Sequence, residues 1–316
     1  MTNTNTLALL FPGQGSQAVG MGKDLAEKYP VARQTFEEAD DALGYKLSTV
    51  IFEGPEDQLR LTEITQPAIL TVSIAALRVL ETRIPKPCYV AGHSLGEYSA
   101  HVASGTFSFA DAVRTVRNRG KYMQEAVPVG VGAMAAILGM DAEKVAAVCR
   151  DSAQGEVCEP ANLNSPEQIV ISGNTAAVER AAKLADERGA KRAKLLPVSA
   201  PFHCSLMKPA QDRLQSDLDV LKLQKPVYPV ACNVDAALVT DDLRARDTLL
   251  RQVTGSVKWD ACMRLLIAQG VQTFIEVGPG KVLCGLMRQI DRSKTALNAG
   301  DESSLTNVVD RLQMAA

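Results

Sequence analysis

The chain contains 316 residues, of which 46% are hydrophobic and 22% charged, as is typical of a globular protein with a sizeable core rather than a disordered or fibrous chain. Its 34 lysines and arginines nearly balance 36 acidic residues, and the net charge of -2 excludes a global field that would hold nucleic acid or an anionic membrane. The seven cysteines are odd in number and form no C-x-x-C pair, which argues against disulfides and a zinc site and favours a reducing cytoplasm.

The first predicted element is a buried strand. Met1 to Thr6 are polar and lack a basic region, and the apolar run Leu7–Phe11 is too short for a signal peptide or a membrane span. Pro12-Gly13-Gln14-Gly15 follows the run and predicts a glycine turn, whose exposed amides could face an oxyanion. The turn matches neither the Walker nor the dinucleotide pattern, so we expect no bound nucleotide. We expect a cytoplasmic monomer without a metal or other cofactor.

A long helix and a second buried strand follow. The apolar pattern predicts a helix over 67–82, which Pro85 and Pro87 end. Residues 88–91 then form a short apolar run, and Gly92 begins a turn that leads into a helix-compatible stretch. A strand, a glycine-bounded turn and a helix in this order are typical of an α/β protein.

Between Gly132 and Val198 the pattern changes to that of an inserted ferredoxin-like subdomain. Asp141 and Asn174 are predicted N-caps of its two helices, and Gly189 is the predicted residue just after the second helix. The predicted order is strand 133–138, helix 141–150, strand 157–163, strand 168–172, helix 175–188 and strand 191–197.

Two later strands predict that the chain returns to the first sheet. They are the apolar runs 227–230 and 273–277, the second of which ends in Gly278-Pro279-Gly280. We therefore predict a large α/β domain formed by residues 1–127 and 199–316, interrupted by a ferredoxin-like subdomain at residues 128–198.

A G-x-S-x-G motif identifies the candidate nucleophile. Gly92-His93-Ser94-Leu95-Gly96 follows a predicted strand and precedes a helix, the context in which this motif forms a nucleophile elbow. Its glycines allow the tight turn, and the serine is held in a strained, outward conformation. A plain structural turn is the alternative, but the strand-turn-helix context favours a functional Ser94.

A serine hydroxyl needs a base, and the chain contains only three histidines. His93 is adjacent to Ser94 and projects differently, while His101 lies about 10 Å further along the helix axis. His203 remains, in the segment Ser199-Ala200-Pro201-Phe202-His203; a packed core histidine is the alternative reading. No acid after His203 has a distinguishing context, so a backbone carbonyl could orient the imidazole instead.

Arg119 falls on the apolar face of a predicted helix over 110–126. The residues three, four and seven positions away are Ala112, Thr115, Val116, Tyr122, Met123 and Ala126. A guanidinium directed inward is costly without an anionic partner. Arg119 could form a structural ion pair or snorkel to solvent. It could instead bind a substrate carboxylate, for which a planar bidentate donor is suited.

These segments together resemble the acyltransferase family that includes malonyl-CoA:acyl carrier protein transacylases and the acyltransferase domains of fatty acid and polyketide synthases. The resemblance spans nearly the whole chain and is carried by Phe11-Pro12-Gly13-Gln14-Gly15-Ser16-Gln17, Thr65-Gln66-Pro67-Ala68, Gly92-His93-Ser94-Leu95-Gly96-Glu97-Tyr98, Arg117-Asn118-Arg119-Gly120, Asn162 to Ser165, the His203 segment and Glu276-Val277-Gly278-Pro279-Gly280. It implies a hydrolase-like parallel-sheet α/β domain with a ferredoxin-like subdomain.

The resemblance also implies roles for individual residues. It implies Ser94 as nucleophile, His203 as base, and the main-chain carbonyl of Gln252 as the group that orients the histidine. It further implies that Arg119 binds the malonyl carboxylate and that Phe202 belongs to a malonyl-type pocket; the backbone amides of Gln14 and Leu95 would form the oxyanion hole, and Leu95 also fits malonyl rather than methylmalonyl.

The activity implied is transfer of malonyl from malonyl-CoA to acyl carrier protein by a ping-pong mechanism. An esterase or thioesterase is an alternative, because the nucleophile elbow serves both. Arg119 distinguishes the two and favours malonyl transfer, since a hydrolase of neutral esters has no use for an arginine directed inward. A non-catalytic binding module is the second alternative, and it would not react at Ser94 with a serine-directed phosphonate.

Overall fold

The computed structural model describes residues 6–198 and 200–314. The polar residues 1–5 and Ser199, the first residue of the His203 segment and of the second part of the predicted large domain, lie outside this range. The boundaries of the two domains stay predictions.

The described residues form ten strands, fourteen α-helices and one 3-10 helix, Ser205–Met207. The strands are β1 (Leu7–Phe11), β2 (Tyr89–Gly92), β3 (Gly132–Leu138), β4 (Cys158–Ser165), β5 (Gln168–Asn174), β6 (Arg192–Leu195), β7 (Val230–Cys232), β8 (Ala237–Val239), β9 (Thr273–Val277) and β10 (Thr295–Ala299). The helices are α1 (Lys23–Lys28), α2 (Pro30–Leu43), α3 (Leu47–Glu53), α4 (Glu56–Leu59), α5 (Thr62–Leu80), α6 (Leu95–Ala103), α7 (Phe109–Glu125), α8 (Ala142–Ala153), α9 (Thr175–Glu187), α10 (Lys208–Asp219), α11 (Asp242–Arg251), α12 (Trp259–Ala268), α13 (Val282–Ile290) and α14 (Glu302–Met314).

A six-stranded sheet forms the large half of the molecule. Its spatial order is β10-β9-β1-β2-β7-β8, and all neighbours are parallel except β7 and β8. Every residue of β1 and β9 is buried, because helices cover both faces of the sheet. The sheet therefore has the α/β layering that the strand-turn-helix pattern predicts.

A four-stranded antiparallel sheet forms the smaller half. Its order β4-β5-β3-β6 and its two helices, α8 and α9, are those of a ferredoxin-like unit. Asp141 caps α8 as predicted, since its side chain accepts from the Lys144 N–H. Asn174 occupies the N-cap position of α9, but its side chain accepts from the Val157 N–H instead. The predicted fold class, a parallel-sheet α/β domain with a ferredoxin-like subdomain, is confirmed.

Helix α5 is the central helix of the large core. It begins five residues before the predicted start at Pro67, so the proline lies inside the helix. Proline removes one helical hydrogen bond, but the preceding turn is buried and packs against α7. A Cβ at Gly120 of α7 would lie only 2.5 Å from the Thr62 carbonyl oxygen, so this glycine permits the close approach. By length and composition α5 could span a membrane, but 89% of its apolar stretch is buried in the protein, as in a core helix.

The predicted strand at 227–230 is wrong. Val227 is exposed, and Val227 and Tyr228 donate backbone hydrogen bonds to Ser104 at the end of α6 rather than to a strand. The strand β7 begins only at Val230, where the chain reaches β2.

Candidate active site

Ser94 occupies a strained turn between β2 and α6. Its backbone has φ 52° and ψ -106°, a region that non-glycine residues rarely adopt. A Cβ at Gly92 would lie 1.9 Å from the Gly96 carbonyl, and one at Gly96 would lie 2.0 Å from the Phe11 carbonyl oxygen. Both glycines of the motif are therefore needed for the turn that the motif predicts.

His203 contacts the Ser94 hydroxyl. The distance from Ser94 Oγ to His203 Nε2 is 2.7 Å, and His203 Nδ1 lies 2.9 Å from the main-chain oxygen of Gln252. Because a carbonyl oxygen only accepts, Nδ1 carries the imidazole proton and Nε2 is free to accept from the serine. The pair has the arrangement of a nucleophile and its general base.

Neither of the other two histidines is hydrogen-bonded to the Ser94 hydroxyl. His93 Nε2 lies 2.7 Å from Asn164 Oδ1, and His101 is buried with Nδ1 3.2 Å from Thr106 Oγ1. Elimination from the sequence thus identified the histidine that reaches the serine.

Burial keeps His203 neutral. Desolvation, followed by the positive charge of Arg119, lowers the pKa of His203 to about 3. An imidazole that is uncharged at neutral pH can accept a proton, which is the state that a general base requires.

Arg119 brings a buried positive charge to the serine. Its side chain, on α7, is 1% exposed, as the apolar helical face predicts. Nη1 donates to Gln66 Oε1 at 2.8 Å, and Nη2 donates to Gln252 Oε1 at 2.9 Å and to Ser94 Oγ at 3.2 Å. Among residues 6–198 and 200–314, no carboxylate oxygen lies within 4.0 Å of this guanidinium. A buried guanidinium with only neutral partners is suited to bind an anionic ligand beside Ser94.

A cavity of about 570 Å³ adjoins these side chains. It is lined by Ser94 and His203 and by the predicted site residues Gln14, Leu95, Arg119 and Phe202. Its apolar lining includes Met123 of α7, Met134 and Val170 of the small half of the molecule, and Leu286 of α13. The cavity therefore brings a hydrogen-bonded serine–histidine pair and a buried cation together with apolar walls.

Sequence reasoning assigned no role to three further residues at this site, Gln66, Glu97 and Asn233. Asn233 Oδ1 accepts from the Ser94 N–H at 2.7 Å, and its Nδ2 donates to the Gly92 carbonyl at 2.8 Å. Glu97 Oε2 accepts from Gln252 Nε2 and from the Asn233 N–H. Burial raises the pKa of Glu97 to about 7 despite these two bonds. Gln66 and Glu97 lie in two of the motifs that carry the family resemblance, and this was the signal that the sequence offered.

The chain is similar to known proteins in both sequence and structure. Residues 8–311 match the acyl transferase domain family. The malonyl CoA-acyl carrier protein transacylase of Escherichia coli K12 is 49% identical over 304 residues, which are 96% of this chain and 98% of that protein. The transacylase structure from Coxiella burnetii has a TM-score of 0.96 at 42% identity and covers 98% of each chain. A malonyl transacylase in complex with a type II polyketide synthase acyl carrier protein has a TM-score of 0.95 at 45% identity, over 97% of this chain and 100% of that one.

Proposed function

Because the chain belongs to the acyl transferase family of malonyl CoA-acyl carrier protein transacylases, we propose that it transfers malonyl from malonyl-CoA to acyl carrier protein through a malonyl ester on Ser94. The acceptor is the phosphopantetheine thiol of the carrier protein, and the product serves fatty acid biosynthesis. The relatives' names and the complex of a similar transacylase with its carrier protein support this substrate and partner.

The first half-reaction acylates the enzyme. Ser94 Oγ attacks the thioester carbonyl of malonyl-CoA while His203 Nε2 takes the hydroxyl proton. The C–S bond then breaks, and His203 returns the proton to the departing thiolate, so the products are a malonyl ester on Ser94 and free CoA. The 2.7 Å contact between Oγ and Nε2 supports this step.

The second half-reaction repeats these steps with the carrier protein thiol. His203 removes the thiol proton, the sulfur attacks the malonyl ester, and the proton returns to Ser94 Oγ as the C–O bond breaks. The enzyme is regenerated, and no metal or bound cofactor takes part. The main-chain carbonyl of Gln252 orients His203 and stabilises the imidazolium in both halves.

Each half-reaction forms a tetrahedral oxyanion on the acyl carbon. The main-chain N–H groups of Gln14 and Leu95 stabilise this charge. Leu95 is the first residue of α6, directly after the nucleophile, and Gln14 lies in the turn that follows β1 and lines the same cavity. The positive end of the α6 dipole adds to the stabilisation.

Arg119 selects the acyl group by binding the malonyl carboxylate. The carboxylate adds a charged partner to the neutral acceptors that hold the guanidinium, and a bidentate contact fixes the thioester carbonyl beside Ser94. Phe202, directly before the base, forms part of the wall around the acyl group. The observation that carries this proposal is a buried arginine without a carboxylate partner 3.2 Å from Ser94 Oγ.

Incubation with radiolabelled malonyl-CoA, with and without phosphopantetheinylated carrier protein, tests the function. We expect label on the Ser94 peptide without the carrier, and label on the carrier thiol when it is present. Release of free malonate at the same rate in both reactions would indicate a hydrolase, and absence of label from Ser94 would contradict the acyl-enzyme.

A further inference from the structure

Glu97 is a buried acid one helical turn beyond the nucleophile. Its side chain is 0% exposed, and no Lys, Arg or His nitrogen of the described residues lies within 4.0 Å of its carboxylate. Burial of an acid without a direct ion pair costs stability. A functional role for the carboxylate at the site would explain why this acid is buried.

One task concerns the side-chain amide of Gln252. Its Nε2 donates to Glu97 Oε2 at 2.7 Å and to the Ser94 carbonyl at 3.1 Å, which leaves Oε1 to accept from Arg119. In the reversed amide, the Gln252 side-chain amide is rotated by 180° and keeps the same shape. Its NH₂ would then face the Arg119 guanidinium, and its oxygen would face two acceptors, Glu97 Oε2 and the Ser94 carbonyl. Oε2 already accepts from the Asn233 N–H, and it acts only as an acceptor both in the ionised acid and when a proton resides on Oε1, so Glu97 excludes the reversed amide and keeps Gln252 Oε1 on Arg119.

A second contact ties Glu97 to the nucleophile elbow. The same oxygen, Oε2, accepts from the main-chain N–H of Asn233 at 2.9 Å. The Asn233 side chain bridges the elbow, since it accepts from the Ser94 N–H and donates to the Gly92 carbonyl. Glu97 Oε2 therefore links Asn233 to Gln252. Asn233 holds the Ser94 backbone, and Gln252 contacts both His203 and Arg119.

We propose that Glu97 is a positioning residue that, through Gln252 and Asn233, sets Arg119, His203 and Ser94 in one reactive arrangement. This inference rests on the proposed transacylation. It predicts that altering the reach of the carboxylate changes both the acylation rate and the preference for malonyl.

Glu97→Asp is the main test, because it keeps the charge and shortens the side chain by one carbon–carbon bond, about 1.5 Å. The contact with Gln252 is then stretched beyond hydrogen-bond length. Displacements of about 1 Å cost on the order of 10²-fold in rate, so we expect single-turnover acylation to fall by about that factor. The ratio of malonyl to acetyl transfer should also fall, because Arg119 loses its fixed acceptor.

Glu97→Gln and Glu97→Leu separate shape from hydrogen bonding. The glutamine oxygen can accept from both donors, so we expect acylation within a few fold of wild type. Leucine accepts nothing, so we expect a loss at least as large as that of Glu97→Asp, measured per folded molecule. If Glu97→Leu does not fold, Glu97→Asp and Glu97→Gln carry the comparison.

Glu276→Asp is the matched control. Glu276 is also a buried glutamate whose two oxygens accept N–H groups, those of Leu283 and Cys284, and it makes no hydrogen bond to Ser94, His203, Arg119 or Gln252. We expect a lower melting temperature but an unchanged acyl preference. Wild-type acylation is measured in the same series, so failure of the proposed function is recognised separately. If wild type acylates and folded Glu97→Asp matches it in rate and preference, the positioning role is overturned.

Discussion

The main-chain carbonyl oxygen of Gln252 lies 2.9 Å from His203 Nδ1, in the position that an acidic side chain takes in a serine triad. The side chain of the same residue contacts Arg119. His203 and Arg119 are thus held by one residue, at the end of α11. A carbonyl cannot be protonated at ordinary pH, so this anchor does not titrate.

Ser94→Ala should abolish the malonyl-enzyme and leave the fold intact, because it removes one hydroxyl from the cavity. Intact-protein mass spectrometry after incubation with malonyl-CoA measures the adduct. Ser99→Ala, which alters a buried serine on the same helix, is the control and should still form the ester. A malonylated peptide elsewhere in Ser94→Ala would contradict the assignment of the nucleophile.

His203→Ala should lower the acylation rate by about 10² to 10⁴-fold, the range for loss of a general base. Rapid-quench measurement of CoA release gives this rate. His101→Gln alters another buried histidine, which contacts Thr106, and should affect stability without this loss. Acylation within a few fold of wild type in His203→Ala would show that His203 is only a packed core residue.

The pH dependence of acylation should reflect the buried state of His203. A base works only when neutral, and burial lowers the pKa of His203 to about 3, so lowering the pH from 8 to 5 does not protonate it. We therefore expect kcat/KM for malonyl-CoA to show no acid limb near 6.5, the ordinary histidine value. Because the pKa of Glu97 is about 7, the profile is also measured in Glu97→Gln, and a limb near 6.5 that persists in that variant would indicate that the His203 imidazole is solvated before substrate binds.

Arg119 should determine acyl preference. Arg119→Ala should lose roughly 2 to 5 kcal/mol of transition-state stabilisation for malonyl, as expected for breaking a buried charge pair, while acetyl-CoA becomes relatively better. Arg119→Lys should recover only part, because an ammonium keeps the charge but not the planar fork. The measurement compares kcat/KM for the two substrates. An unchanged preference in folded Arg119→Ala would make it a structural residue.

Local patterns were enough to predict much of the fold. The strands β1 and β9 begin and end at the predicted residues, because each is an uninterrupted apolar run bounded by turn residues. The start of α5 was missed because Pro67 normally marks the first turn, whereas tertiary packing holds a further buried turn before it. Burial of Arg119 followed from helical periodicity alone.

The contacts among the residues that support Ser94, His203 and Arg119 could not be predicted from local patterns. Glu97 and Asn233 are 136 residues apart, and Gln252 reaches Glu97 across 155 residues. No local pattern indicates such contacts, and the strand before Asn233 was itself predicted too early. The contacts of Arg119 with Gln66 and Gln252 could not be predicted either, because a neutral glutamine forms no charge pattern that would pair it with an arginine.

The central claim, transfer through an ester on Ser94, is tested most directly by a chase experiment. The enzyme is loaded with malonyl-CoA, freed of CoA, and mixed with phosphopantetheinylated acyl carrier protein while both proteins are followed by mass spectrometry. We predict that the malonyl mass leaves the Ser94 peptide and appears on the carrier thiol at the same rate, faster than malonate is released in buffer alone. A malonyl-enzyme that loses its acyl group to water at one rate, with or without the carrier protein, would contradict the account.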